Sequence, residues 1–466
     1  MGGVLLVTTP SPVRTAGPPL GMLYLAAALQ QAGVEVAVVD LASPYGPSGA
    51  DALAEVVART QPLLIGLTLY TETALASYRL LQELVPKRGR FLVAGGPHAT
   101  ALPQEALAHG FDFVVLHEGE GSLVQLYEAL TLKSDPADVA GLVYRDSGGN
   151  LRKTRKRPLV ADLDLLPSPI QAVPLLDRDW YAPQGRIPRL SPSLITSRGC
   201  PGRCTFCANV ISGHRYRFHS ARRVIEELVD WHQREGATAF VFHDVALTAH
   251  RERLLKLCSA IRTLDFKVTW MCEARADQVD EELVRAMADA GCSGITFGIE
   301  SGDPTRLALI RKGSGREAAM AALAVAKAAG VRTQANFMLG FPGETAQQLE
   351  HTLTFMQEIA PLADGLSPMG IVVPYPGTEL YRAHHEETGC TDWWLDAERI
   401  ASMLQPVTLD ADVVTPDEVI DLHRRMEEGI LAAGLVPYSP EVRQAIERCL
   451  EFRREHNRRA MSGQPT

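Results

Sequence analysis

Short runs of β-branched and aromatic residues alternate with amphipathic helical stretches along most of this chain, in two blocks. In the first block the runs lie at residues 4–8, 34–39, 63–69, 91–94 and 113–116. This alternation predicts a parallel sheet covered by helices on both faces, which is a doubly wound, Rossmann-like α/β domain. Ligands of such sheets bind at the carboxyl ends of the strands. One pocket should therefore be lined by the loops after Thr8, Asp40, Leu69, Gly95 and His117.

The second block follows a turn-rich stretch. Its runs lie at residues 194–196, 239–243, 267–271, 294–298, 332–339 and 366–373. Six βα units without a long interruption favour a partial (β/α)6 barrel of the TIM type, although periodicity alone does not separate a barrel from a second flat sheet. After Leu380 the pattern is mainly helical, and helices are expected at 416–432 and 440–458.

A chain of 466 residues is longer than one hydrophobic core usually supports, so more than one domain is expected. The patterns divide the chain into four segments. We expect a Rossmann-like domain at 1–135, a linker at 136–190 that wraps between domains, a partial barrel at 191–380 and a helical C-terminal region at 381–466. A basic run at 152–157 follows turn residues, which favours a solvated hairpin arm over a binding patch.

Charge and hydropathy exclude several kinds of partner. The formal net charge is −9, so there is no global cationic field and nucleic acid is not an expected partner. No apolar stretch approaches the roughly 20 residues that span a bilayer, so membrane insertion is not expected. The apolar start of the chain has no charged segment before it, and this predicts a cytoplasmic protein.

Three of the eight cysteines fall within eight residues, in the order Cys200, Cys204 and Cys207. They follow a predicted strand directly, and such a cluster suits a metal site in a reducing compartment. A structural zinc site usually has four protein ligands, and no second close cysteine pair exists here. Three thiolates suit a 4Fe-4S cluster with one open iron, whereas incidental thiols are the alternative. Phe206 is expected to cover one face of the cluster.

The other five cysteines are scattered singly, and each is expected to be a small buried hydrophobe. They are Cys258, Cys272, Cys292, Cys390 and Cys449. Cys272 is the exception to this expectation of burial, because it lies near a strand end that should face the barrel cavity.

The cysteine motif resembles the signature of radical SAM enzymes, and the resemblance covers residues 191–373. It implies that the cluster passes one electron to bound S-adenosylmethionine (SAM), which breaks to leave a 5′-deoxyadenosyl radical. The electron would come from an external flavodoxin-type or ferredoxin-type reductant. The resemblance also implies SAM contacts at four strand ends, at Asp244, Glu273, Arg275, Gly298, Glu300 and Asn336. For Glu273 and Arg275, a helix-capping ion pair is the alternative.

The glycine-containing loops of the first block, together with Glu118, Gly119 and Glu120, resemble the cobalamin-binding domain that precedes many radical SAM domains. The implied cobalamin contacts are Pro19, Leu20, Gly21, Thr68, Leu69, Tyr70, Gly95, Gly96, His98, Glu118, Gly119 and Glu120. The pattern Asp-x-His-x-x-Gly is absent, so no histidine is offered to cobalt by that route. We expect Tyr70 or Leu69 to lie nearest the lower corrin face, with Tyr70 as a catalytic residue, and His98 to donate a hydrogen bond instead of ligating cobalt.

Three functions follow from this resemblance. The favoured one is a C-methyltransferase that acts on an unactivated carbon of a small molecule, or of a natural-product or lipid intermediate. A cyclase or rearrangement enzyme with the same cofactors is the alternative, and a noncatalytic cobalamin module is disfavoured because the barrel motifs are complete. A methylthiotransferase is not expected, since residues 1–199 contain no cysteine. Trp393 and Trp394 either border the substrate or pack against the barrel.

Overall fold

The computed structural model describes residues 2–11, 13–14, 17–46, 49–83, 89–181, 192–366, 370–389, 392–403, 407–408 and 416–461. The first part of the chain alternates strands with helices. Its strands are β1 (Val4–Thr8), β2 (Val13–Arg14), β3 (Val36–Asp40), β4 (Leu64–Thr68), β5 (Phe91–Gly95), β6 (Phe113–Val115), β7 (Leu142–Arg145) and β8 (Leu151–Lys153). Its helices are α1 (Leu20–Gln31), α2 (Ala50–Thr60), α3 (Ala74–Glu83), α4 (Gly96–Ala101), α5 (Pro103–Ala108) and α6 (Glu120–Leu132).

Within the described residues, the N-terminal sheet runs in the order β3-β1-β4-β5-β6-β7-β8. The first five of these strands are parallel, which confirms the doubly wound α/β fold. Strand β1 shows why: Val4 and Leu6 pack into one apolar cluster, and Leu5 and Val7 pack into another on the opposite face. The sequence of a strand that is buried on both faces is a continuous run of apolar residues.

The linker prediction is wrong for its first part. Strands β7 and β8 form an antiparallel hairpin that extends the N-terminal sheet, so residues 142–153 belong to that sheet. The basic run begins on this exposed hairpin, as expected, and Arg152 pairs with Asp146 at 2.6 Å. Arg157 is the exception, because it folds back onto the domain and donates to Ser122 Oγ at 2.8 Å.

The rest of the chain forms the barrel and the C-terminal helices. The strands are β9 (Ser193–Leu194), β10 (Ser197–Arg198), β11 (Arg217–Phe218), β12 (Ala239–Phe242), β13 (Thr269–Arg275), β14 (Cys292–Glu300), β15 (Arg332–Phe337), β16 (Gly365–Leu366) and β17 (Val407–Thr408). The helices are α7 (Ala221–Glu235), α8 (Arg251–Ile261), α9 (Glu281–Asp289), α10 (Pro304–Leu309), α11 (Arg316–Ala328), α12 (Ala346–Ile359), α13 (Glu379–Thr388), α14 (Ala397–Met403), α15 (Pro416–Ala432) and α16 (Pro440–Met461).

The barrel sheet of the described chain is parallel throughout, in the order β9-β12-β13-β14-β15-β16. Strand β13 alternates between a lumen face, with Met271, Glu273 and Arg275, and a buried face packed against the helices. Cys272 lies on that buried face and is 4% exposed, so the expectation that it faces the cavity is wrong. A strand of period two places adjacent residues on opposite faces.

None of the described helices is long and apolar enough to cross a membrane. Cys390 and the predicted strand residues 367–369 lie outside the described residues.

Candidate active site

The three clustered cysteines lie on a loop between β10 and β11, which pair antiparallel and close the base of the loop. Gly199 begins the loop with φ +83°, and a side chain there would place Cβ 2.2 Å from the carbonyl oxygen of Arg215. Only glycine accepts this conformation and this close approach. The N–H of Cys200 then donates to the Gly213 carbonyl at 3.2 Å, which sets the position of the first thiol.

All three thiols are free of disulfides, and the accessible surface of Cys207 faces two cavities within the protein. Burial raises the pKa of the Cys207 thiol to about 11 and also raises that of Cys204, whereas Lys312 and Arg275 lower the latter. Binding to iron would deprotonate the thiols and offset this burial.

Among the described side chains, no three Cys, His, Asp or Glu residues converge on a point that would suit one metal ion. A 4Fe-4S cluster does not require such convergence, because each thiolate binds a different iron. The loop fits a cluster on chemical grounds, since it presents three free thiols beside two cations.

Three of the predicted SAM contacts share one layer of the barrel lumen. Arg275 pairs in register with Gly298, and Gly298 pairs with Asn336, on three neighbouring strands. The Arg275 guanidinium also donates to Asp277 at 2.8 Å and to the Lys312 carbonyl at 2.7 Å. Arg275 therefore forms an ion pair with Asp277, but its side chain makes no capping hydrogen bond to the 3-10 helix at 276–278. Glu273 is exposed on the same strand face.

Glu300 forms a buried ion pair with Lys312, whose Nζ lies 2.8 Å from Glu300 Oε1. Glu300 has φ +74°, a region that a non-glycine residue seldom adopts and that often marks a functional site. A Cβ on Gly298 would lie 2.6 Å from Glu300 Oε1 and 3.0 Å from Lys312 Nζ, so this glycine makes room for the pair. Sequence reasoning missed Lys312, because it follows a short helix and belongs to no recognised motif.

The predicted SAM contact Asp244 supports the cysteine loop from behind. Its carboxylate accepts from the backbone N–H and hydroxyl of Thr196 at 3.1 and 2.9 Å, and from the Ser197 hydroxyl. Burial raises the pKa of Asp244, which is 1% exposed. The neighbouring His243 points the other way and lines both cavities described next, although sequence reasoning assigned it no role.

A cavity of about 510 Å³, here termed the glycine-lined cavity, lies between the N-terminal sheet and the cysteine loop. Five of its glycines belong to the first domain, and Gly199 belongs to the cysteine loop; the five are Gly21, Gly66, Gly95, Gly96 and Gly119. Cys200 and Cys207 form part of the opposite wall. Gly21 has open space where a side chain would be, so the backbone there can approach a flat ligand. These features fit cobalamin.

A second cavity of about 970 Å³, here termed the methionine-lined cavity, adjoins the first. Its methionines are Met22, Met338, Met403 and Met426. The residues common to both walls are Gly21, Met22, Thr68, Tyr70, Ile195, Cys207 and His243. The two cavities therefore meet beside the cysteine loop, and Phe206 lines the second, where its ring contacts Phe341.

Ten of the twelve predicted cobalamin contacts line one or both of these cavities. Gly95, Gly96, Glu118, Gly119 and Glu120 line the glycine-lined cavity, Pro19 and Leu20 line the methionine-lined cavity, and Gly21, Thr68 and Tyr70 line both. The remaining two, Leu69 and His98, line neither.

Leu69 and His98 are packed into the core instead. Leu69 is fully buried, so Tyr70 is the member of that pair which faces the cavities. His98 is 1% exposed, with its ring nitrogens 2.9 Å from Glu105 Oε1 and 3.2 Å from Thr71 Oγ1. The role predicted for His98, a hydrogen bond to cobalamin, is therefore not supported by its position.

Glu118 and Glu120 bind the cysteine-loop strands. Arg198 Nη2 lies 2.7 Å from Glu120 Oε1, and Arg217 Nη1 lies 2.8 Å from Glu118 Oε1. Burial opposes the charge on Arg198, yet the nearby Glu120 and Glu118 carboxylates hold its pKa above the ordinary value. These ion pairs join the first domain to the barrel. The sequence contained Arg198 within the cysteine motif, but no signal identified its partners.

The two tryptophans pack and do not border the described cavities. Trp394 donates to Glu105 at 3.0 Å, and Trp393 donates to the Pro374 carbonyl at 3.2 Å. Both are buried, which supports the packing alternative.

Comparison with known proteins finds two matching family models, the radical SAM superfamily over residues 194–356 and the B12 binding domain over 11–127. The chain is 32% identical over 389 residues to the uncharacterized methyltransferase PH0819 of Pyrococcus horikoshii, covering 81% of this chain and 82% of that protein. It is 27% identical over 401 residues to the anaerobic magnesium-protoporphyrin IX monomethyl ester cyclase of Cereibacter sphaeroides. That match covers 81% of this chain and 62% of the cyclase, which is less than two thirds of its length.

A solved structure shares the fold. The radical SAM methyltransferase TsrM from Kitasatospora setae, with cobalamin and a 4Fe-4S cluster bound, matches with a TM-score of 0.68 at 19% identity. The match covers 83% of this chain and 75% of that one.

Proposed function

Because the chain belongs to the radical SAM superfamily and carries a B12-binding domain, it uses a 4Fe-4S cluster, SAM and cobalamin, and we propose that it is a C-methyltransferase. Its substrate would be a small molecule, or a natural-product or lipid intermediate, methylated at an unactivated carbon. The observation that carries this proposal is the meeting of the two cavities at Cys207, Tyr70 and His243. A substrate in the larger cavity would then face both cofactor sites.

When bound, the cluster and SAM supply a 5′-deoxyadenosyl radical, and cobalamin supplies the methyl group. Cys200, Cys204 and Cys207 would hold the cluster. The lumen layer of Arg275 and Asn336 would face SAM, with the Lys312 ammonium beside it as a cation for the SAM carboxylate. The carboxylate of SAM is anionic, so a cation held by Glu300 at 2.8 Å suits it.

Tyr70 would present its phenol to cobalamin bound in the glycine-lined cavity. Burial raises the pKa of its phenol, and the carboxylates of Glu72 and Asp40 raise it further. The phenol therefore stays protonated at neutral pH. Bound cobalamin would supply the methyl group, and the neutral Tyr70 phenol beside it would be only a weak donor.

The reductant is proposed to be an external flavodoxin or ferredoxin, and the protein is proposed to act in the cytoplasm.

A product count tests the proposal. Anaerobically reconstituted enzyme is incubated with SAM carrying a deuterated methyl group, hydroxocobalamin, titanium(III) citrate and a small-molecule cell extract. We expect S-adenosylhomocysteine and 5′-deoxyadenosine in equal amounts, and the labelled methyl group in a new product. Cys204→Ala should lose the iron-sulfur chromophore and both products, whereas the matched variant Cys258→Ala should keep them, because Cys258 is buried in the core.

One relative favours a second function. The similarity to the magnesium-protoporphyrin IX monomethyl ester cyclase supports an oxidative cyclase with the same cofactors. That enzyme would give 5′-deoxyadenosine without S-adenosylhomocysteine, and this result would refute methyl transfer.

A further inference from the structure

The methionine-lined cavity is largely apolar, and its wall carries two carboxylates, Asp40 and Glu72. Its described lining contains no lysine and no arginine. None of the ion pairs among the described residues involves Asp40 or Glu72. Among the described side chains, the two carboxylates therefore have no lysine or arginine partner, and an unpaired charge in an apolar setting is destabilising.

Each of the two carboxylates accepts a hydrogen bond from a tyrosine. Tyr375 donates to Glu72 Oε1 at 2.5 Å across the cavity, and the buried Tyr181 donates to Asp40 Oδ2 at 2.6 Å. Burial raises the pKa of both phenols, and the adjacent carboxylates raise it further. Both phenols therefore stay neutral and protonated, so they orient the carboxylates without cancelling their charge.

The two carboxylates differ in what they can still bind. Asp40 is 3% exposed and also accepts from Thr8 Oγ1 and from the Ala42 N–H at 3.0 Å, so its oxygens are well occupied. Glu72 is half-buried, and Tyr375 is its hydrogen-bond donor among the described residues. Glu72 is therefore the carboxylate that can receive a group of a bound molecule.

We propose that Glu72 is a specificity residue that selects a largely apolar substrate carrying a protonated amine, and that the cavity excludes carboxylates and phosphates. This inference rests on the methyl-transfer function proposed above, because it treats the methionine-lined cavity as the substrate site. An ammonium group would gain charge-assisted hydrogen bonds to Glu72. An anion would meet two carboxylates and no described lysine or arginine. Methionine side chains adapt to an irregular apolar body.

Calorimetric titration of the full-length, cobalamin-loaded enzyme tests this with two probes that share one apolar body. Phenylbutylammonium carries a cation, and phenylpentanoate carries an anion in the same place. We expect the ammonium to bind and the carboxylate to bind at least about tenfold more weakly. Glu72→Gln should lower the affinity for phenylbutylammonium by about tenfold or more, because it removes the negative charge but keeps an oxygen that accepts from Tyr375.

Glu55→Gln is the matched control, since Glu55 lies exposed on α2 of the same domain. It should leave both affinities unchanged, and the cobalamin content of Glu72→Gln should equal that of the parent enzyme. Equal or tighter binding of phenylpentanoate would overturn the inference, as would ammonium binding that is absent or insensitive to Glu72→Gln.

The titration involves no turnover, so its failure can be told apart from failure of methyl transfer. Ammonium binding without S-adenosylhomocysteine formation would refute the function and leave the cavity preference in place. Methyl transfer without ammonium binding would refute the cavity preference and leave the proposed function in place.

Discussion

Replacing Glu118 by glutamine should weaken the attachment of the first domain to the cysteine loop. The Glu118 side chain is 3% exposed, and its carboxylate contacts Arg217 Nη1 at 2.8 Å, Arg198 Nη1 at 3.4 Å and the Val160 N–H at 2.8 Å. Glutamine has the same shape and keeps one acceptor oxygen. It removes the negative charge that faces two buried guanidinium groups.

The size of the effect follows from what Arg217 retains. Removing one partner of a buried ion pair costs about 3–5 kcal/mol, because the other charge stays buried. Arg217 still donates to the carbonyls of Val160 at 2.7 Å and Ser212 at 3.2 Å, so its guanidinium remains hydrogen-bonded. We therefore expect a loss of stability at the lower end of this range, about 3 kcal/mol. For a cooperative unit of about 150–250 residues this lowers Tm by roughly 6–12 °C.

Differential scanning calorimetry of the cofactor-free protein measures this shift. The matched control is Glu128→Gln on α6, the helix that follows Glu118, where the glutamate is exposed and has no ion pair among the described residues. It should change stability by no more than about 0.5 kcal/mol. If the Glu118→Gln and Glu128→Gln proteins have the same Tm, the view that this ion cluster joins the two domains is refuted.

Three further predictions concern the barrel. Gly298→Ala should push the Lys312 to Glu300 pair apart, lower stability by about 1–3 kcal/mol and weaken SAM binding by equilibrium dialysis; unchanged SAM affinity would contradict the role of this pair. Glu344→Gln should flatten the pH dependence of the urea midpoint. Burial raises the pKa of the Glu344 carboxyl from 4.5 to about 7. The stability that this carboxyl contributes is therefore full below pH 4.5 and is lost as the pH rises to about 7. A Glu344→Gln protein with the same pH profile as the parent would contradict this assignment. Cys272→Ser should keep the iron content of the parent enzyme, because this thiol faces the helices, and loss of iron would show that it is a ligand.

Much of the fold could be predicted from local patterns. Strand β1 and helix α15 have the predicted bounds, and each of the other predicted runs overlaps a described strand. Period-two and period-3.6 patterns report burial along a single element, and that burial is what forms strands and helices. The hairpin β7–β8 was missed because its second strand is exposed, and an exposed strand carries no apolar pattern.

The candidate site was predicted less evenly. Tyr70 and the glycines of the first domain line the cavities as expected, since backbone positions at strand ends follow from the topology. His98 was misjudged, because its direction depends on Glu105 and on Trp394, which is 296 residues away in sequence. Lys312 was missed because it follows the short helix α10, and no motif linked it to Glu300 at the end of β14.

By itself the sequence determined the two α/β blocks, the thiol trio and the glycines that a close ligand requires, because each of these depends on neighbours along the chain. Tertiary structure alone decided which charges meet: Glu118 with Arg217 over 99 residues, Glu72 with Tyr375 over 303. Pairing across such distances depends on how the domains pack, and neither composition nor periodicity encodes the side-chain directions that result.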